Sequence, residues 1–340
     1  MKQYYPYIDL AKGVGILGVL MCHVAGHVFN TGEILLTHLI GTFFLSIFFL
    51  ASGFVGASLF TEEAKWEDVF SWKTYCLLVP FLVLGISFTL WRDYAVYGSF
   101  TANPVVVLFA NEFNSGYWFL LVLTIIRFSI LLSRLILQYI LLNKLFAFLS
   151  KKRGFCLVAN VFVMSLLGLI FAFLLDKINF YKAYVPWYII GALVKVYSLQ
   201  NSWLKKDAVH AVFAVLAVFF IAFNYFCVDH EIHYFGQSYT STFFMTFAVF
   251  MTLVRTNPEH PIAKAFIELG KISLDVYVLH YFFYAVDFSY MFPKGYIAEW
   301  PYALQAIVVF FVSCILIFCS YILSKIIRQN RYLTKILLGR

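Results

Sequence analysis

Between Trp300 and Lys325 the chain carries no Asp, Glu, Lys or Arg. A helix over such a run rises about 1.5 Å per residue, enough to cross the roughly 30 Å hydrocarbon core of a bilayer. Comparable apolar runs recur over residues 13–29, 37–60, 74–91, 117–142, 155–175, 184–198, 208–228, 239–254, 272–291 and 301–326. They predict an all-α fold, a polytopic transmembrane helix bundle of about ten spans. The sixth and eighth runs are short for a crossing. Composition points the same way: 63% of the residues are hydrophobic and 12% charged, against about 45–50% and about 25% in soluble domains. A soluble core of this length does not hide that much apolar surface.

The run Pro104–Ala110 is too short to span, so residues 92–116 read as the longest external segment, either a lid or a substrate-facing loop. No internal repeat or low-complexity tract is visible, and 1–340 reads as a single integral-membrane domain. The first run follows Lys2 and Lys12 without a small-x-small cleavage site at its end, the pattern of an uncleaved first span.

The net charge of +8 suggests nucleic acid only until the cations are placed. They form no continuous stripe and no nucleic-acid motif, so nucleic acid is not expected as a partner. With the N-terminus in the cytoplasm, the outer loops hold only Arg92, Lys177, Lys182 and Lys294. The other loop cations fall inside, among them Lys144, Lys151, Lys152, Arg153, Lys205, Lys206, Arg328, Arg331 and Lys335. This positive-inside bias predicts cytoplasmic N- and C-termini. The six Cys lie inside apolar runs without ligand or disulfide spacing and read as free thiols.

Ionisable residues at mid-depth are costly in a bilayer and point to function. His23 and Arg127 each lie roughly 15 Å from a boundary of their span, and His280 roughly 12 Å. The alternative is helix packing through a neighbouring hydroxyl or carbonyl, weakest for Arg127, whose guanidinium needs a partner or water. Arg134 shares its helical face. Lys12 and His23, eleven residues apart, return to within about 20° of one face and stand roughly 16 Å apart along it. That stripe suits a phosphate at the lysine and chemistry at the imidazole; Lys12 alone is also an ordinary inner-boundary anchor. His27, four residues beyond His23, invites a metal site, but no third ligand sits at useful spacing and no metal is expected. In the segment Phe48–Phe54, Ser52 and Gly53 serve either close helix packing or the approach of a ligand to the backbone.

Several of these stretches resemble the membrane-bound acyltransferase family 3. Ile8–Ile16 and Val19–His23 look like its opening motif, with Lys12-x10-His23 carrying Lys where Arg is commoner and Asp9 three residues earlier. Phe48–Phe54 resembles the second motif. Lys73 with Pro80, Trp118-Phe119-Leu120, and Gly270–His280 look like later ones, in order along the chain. The resemblance implies transfer of an acyl group, usually acetyl from acetyl-CoA, to a hydroxyl of an extracytoplasmic or membrane-linked carbohydrate by a multi-pass protein of the inner (plasma) membrane. On that reading Lys12, Asp9, Lys73, Ser52 and Gly53 bind the acyl-CoA. His23 is the general base, or less favourably an acyl carrier, and Arg127 and His280 steady the oxyanion or orient it. Trp118 and Glu112 contact the acceptor. Asp9 either orients Lys12 or caps the helix. A transporter with an intramembrane His/Arg pathway is the rival, but the halves show no repeat symmetry. The bilayer and a carbohydrate are the expected partners. Outer aromatics such as Tyr94 and Trp300 suit sugar stacking or, more simply, an interfacial belt.

Overall fold

The apolar runs fold as helices, and no strand occurs among the described residues. The computed structural model describes residues 3–29, 35–61, 65–69, 71–99, 103, 116–140, 162–163, 179–229, 237–285, 297 and 299–339. The fifth run (155–175), most of the loop 92–116 with Glu112, and the basic cluster 144–153 lie largely outside them. Six helices among the described residues are long and apolar enough to cross a membrane: Pro6–Val28, Leu36–Val55, Leu78–Ala95, Trp118–Tyr139, Asp207–Cys227 and Tyr302–Ile327. The stretch Ala183–Val196 is a shorter apolar helix.

The chain divides into two compact units, one of Met1–Ala51 with Ser198–Ser324, the other of Ser52–Tyr197 with Lys325–Arg340. The first unit starts with α1 (Pro6–His23), continued by a π turn at Val24–Val28. Pro6 suits the first helical position because its missing N–H has no intrahelical partner there, and Asp9 in the first turn complements the helix dipole. The helix thus begins seven residues before the apolar run of the sequence, and its N-cap is Tyr5. Asp9 is therefore not the cap. After α2 (Leu35–Gly41) and α3 (Phe44–Val55), the unit resumes with 3₁₀ turns at Leu199–Asn201 and Trp203–Lys205. It continues through α10 (Asp207–Asp229), α11 (Gln237–Arg255), α12 (Pro261–Lys271), α13 (Ser273–Leu279) and a 3₁₀ turn at His280–Ala285, and α14 (Tyr302–Ile327) enters it as far as Ser324.

Small residues set its packing. A Cβ on Gly13 would run into the Phe266 carbonyl, and one on Gly270 into the Asp9 carbonyl. α1 and α12 therefore touch backbone to backbone at two points, an approach that larger residues forbid. α10 and α11 pack through aromatic rings, with Phe213 against Phe243, Phe244 and Phe247, and Phe220 stacked on Phe244. The start of α10 and the end of α11 are tied by His210 Nε2, 2.9 Å from Thr252 Oγ1, and by Arg255, which donates to the Lys206 carbonyl at 2.7 Å.

The ninth apolar run differs from a single regular span. The Ile272 N–H donates to the Leu269 carbonyl at 3.2 Å, so the last turn of α12 tightens to 3₁₀ spacing. Ile272 itself leaves helical dihedrals (φ −107°, ψ 8°). The helix restarts as α13 and tightens again from His280 onward.

The second unit contains the end of α3, short helices α4 (Ser58–Thr61), α5 (Trp66–Val69) and α6 (Trp72–Tyr75), then α7 (Leu78–Tyr97), α8 (Trp118–Ile140) and α9 (Asn179–Val196). It also holds the last residues of α14 and the C-terminal α15 (Arg331–Leu338). Here too glycine admits backbone: a Cβ on Gly53 would strike the Tyr188 carbonyl, and one on Gly56 the Tyr188 hydroxyl.

Candidate functional site: an imidazole pair in the first unit

His23 ends the regular part of α1, and His280 follows the last residue of α13. The two helices bring His23 Nδ1 to 3.0 Å from His280 Nε2, with ring centroids 5.2 Å apart and planes 25° from parallel. His280 is fully buried, and its Nδ1 lies 3.1 Å from the Val276 carbonyl one turn back. A carbonyl only accepts, which fixes the protons of the neutral pair. His280 carries its proton on Nδ1 and donates it to Val276, so its Nε2 is an acceptor. His23 then donates from Nδ1 to that nitrogen. On His23 the acceptor nitrogen is then Nε2. Tyr281 lines both rings, 4.1 Å from His280 and 5.2 Å from His23 between centroids.

The same helix holds a buried carboxyl that the sequence reading passed over. Asp275 is fully buried, and Ser324 Oγ of α14 donates to its Oδ2 at 2.5 Å. Asp275 stands inside the 270–280 stretch, where an acid in an otherwise apolar run was the available signal.

Lower on α1, Lys12 Nζ lies 3.2 Å from Asp9 Oδ1, so Asp9 orients the lysine. Tyr4 stands near the same carboxylate, and its hydroxyl pKa is raised by burial and by the Asp9 charge. Nearby, Lys271 binds Glu268 at 2.6 Å, and that hydrogen bond holds its ammonium above the usual lysine range. His27, exposed on the π turn, meets His23 edge-on at 5.6 Å. Among the described residues no cluster of three His, Cys, Asp or Glu is placed to hold a metal.

The other residues singled out from the sequence lie in the second unit. Arg127 of α8 is half-buried, with Nη1 3.8 Å from Cys76 Sγ. Gly53 has its open side filled by the Tyr188 backbone, which accounts for it by packing, and Ser52 beside it is half-buried. Trp118 opens α8 and stacks on Tyr184 at 5.5 Å and 28°. Lys73 lies in α6, its side chain outside the described residues, as is Glu112 entirely. Among the described residues no disulfide joins Cys22, Cys76, Cys227, Cys314 or Cys319. Of the three mid-depth residues, His23 and His280 are thus brought into contact, and Arg127 has its contacts within the second unit.

Helices long enough to cross a bilayer define a multi-pass membrane protein, and its first unit holds a pair of hydrogen-bonded imidazoles. Residues 5–322 match the model of acyltransferase family 3, described as an acyltransferase domain, and the chain belongs to that family. It is a membrane acyltransferase, which takes the place of the transporter reading. No curated protein and no solved structure matches the chain.

Proposed function

We propose that this acyltransferase moves an acetyl group from cytoplasmic acetyl-CoA to a hydroxyl of an extracytoplasmic or membrane-linked carbohydrate in the inner (plasma) membrane. His23 is the general base. The observation that carries the reading is the chain from the Val276 carbonyl through His280 to His23, which presents a lone pair at His23 Nε2. Nε2 takes the proton of the acceptor hydroxyl as its oxygen attacks the thioester carbonyl. The C–S bond then breaks, and the imidazolium returns the proton to the departing thiolate, giving ester and free thiol. His280 keeps the His23 ring oriented and its Nδ1 protonated throughout. General-base roles of this kind contribute about 10²–10⁴-fold.

Lys12, held by Asp9 at the start of α1, takes the donor's phosphates. The positive-inside bias supports placing that end in the cytoplasm.

The test supplies labelled acetyl-CoA with cell-envelope glycans to the purified protein. Transfer is expected in the wild type and a loss of about 10²–10⁴-fold in His23→Ala, with acetyl-CoA binding retained. Full transfer by His23→Ala would remove the base from this scheme. Lys12→Ala is expected to weaken acetyl-CoA binding with the fold intact.

A further inference from the structure

α15 begins three residues after α14 ends, so it starts where a 26-residue apolar span has just run out. Its ends are firmly built. Asn330 caps it by accepting from the N–H groups of Tyr332 and Leu333, and Thr334 donates back to the Asn330 carbonyl at 2.9 Å. Gly339 closes it in the left-handed region (φ 68°), where a Cβ would strike the Cys76 carbonyl.

At about 100° per residue the helix has three faces. Thr334, Leu337 and the fully buried Leu338 turn to the protein. Tyr332, Leu333 and Ile336 form an adjoining apolar stripe that is 78%, 44% and 42% exposed. Arg331 and Lys335 make the third edge, with Lys335 Nζ 4.7 Å over the ring of Trp72, itself an exposed tryptophan. No acid occurs from Lys325 to Arg340. An apolar stripe beside a cationic edge, with Trp and Tyr at the border, suits the boundary between acyl chains and headgroups.

We infer that α15 lies in the headgroup plane and binds anionic phospholipid, its apolar stripe against acyl chains and Arg331 and Lys335 on headgroup phosphate. The charge supplies the choice of lipid. A zwitterionic surface offers the stripe as much as an anionic one but does not repay an edge that is wholly cationic.

The experiment reads lipid retention and not acyl transfer, so it stands apart from the proposed reaction. The full-length protein is reconstituted in nanodiscs of phosphatidylcholine and phosphatidylglycerol, returned to detergent, and its retained lipids are counted by native mass spectrometry. Wild type is expected to be enriched in phosphatidylglycerol over the bulk ratio. Arg331→Gln with Lys335→Gln is expected to lose about fivefold of that enrichment per cation removed, and Lys264→Gln, an exposed cation on α12, to lose none. Raising the salt during detergent transfer, which shortens the screening length, is expected to lower the enrichment in the unaltered protein, a measurement that does not depend on the variant folding. Equal enrichment in the double variant, none in the wild type, or displacement by inorganic phosphate at the lipid's concentration would overturn the inference.

Discussion

α1 and α10 are both long and apolar enough to cross a membrane, yet 72% of the spanning window of α1 is buried inside the protein and only 6% of that of α10. Hydropathy does not separate them, since α10 is the more apolar of the two. What separates them is side-chain size. α1 presents Gly13, Gly15 and Gly18 to neighbours that close on them directly, whereas α10 turns out Val215, Val218, Phe219 and Tyr225, each more than half exposed. In lipid, apolarity lets a helix enter the bilayer, and small residues decide whether protein then covers it. The covered helix is also the one that carries His23.

The contrast breaks most visibly at Gly13. Gly13→Val places a side chain where the Phe266 carbonyl stands, and the unfolding temperature in detergent is expected to fall by the equivalent of about 1–3 kcal/mol or more. A variant as stable as wild type would mean that α12 can retreat from α1 at no cost. Next in size is His280→Ala, which removes the acceptor of the His23 Nδ1 proton. Transfer is expected to drop on the order of tenfold to a hundredfold, the scale on which orienting partners of imidazoles act. His280→Gln restores an acceptor near the Nε2 position and is expected to recover part of that loss; equal rates in the Ala and Gln variants would sink the proton assignment. Asp9→Asn leaves Lys12 without its carboxylate. It is expected to raise the apparent KM for acetyl-CoA a few-fold, and to cost less than about 1 kcal/mol in a thermal unfolding comparison. Last comes Val218→Leu on the open face of α10, expected within about 0.5 kcal/mol of wild type.

Much of α1 was legible in the sequence because its chemistry is local: a lysine and a histidine eleven residues apart share a face whatever surrounds them. The pairing of His23 with His280 was not, because equal depth on two helices says nothing about adjacency. That adjacency rests on Gly13 and Gly270, glycines whose neighbours lie far away in sequence. Asp275 was overlooked because the stretch around it was read for the histidine at its end, and its partner Ser324 lies at the far end of another helix. The ninth run, 272–291, was read as continuous because apolarity persists through His280, where the backbone tightens to 3₁₀ spacing inside the run. Gly53 carried two meanings in sequence, and the packing one has its partner in Tyr188, more than a hundred residues away.

The π turn at Val24–Val28, closed by the Phe29 N–H on the Val24 carbonyl at 3.2 Å, starts immediately after His23. A turn of that kind holds one residue more than an α-helical turn, so everything beyond it is rotated by about 100° relative to a regular continuation. Descent with small insertions and deletions would therefore treat the two sides of His23 differently. Toward Lys12, losing or gaining one residue would turn the lysine away from the imidazole. Beyond His23, a single deletion would relax the wide turn to an ordinary one and leave the lysine–histidine alignment untouched. The first span has one half whose length is locked and another where length is free to drift.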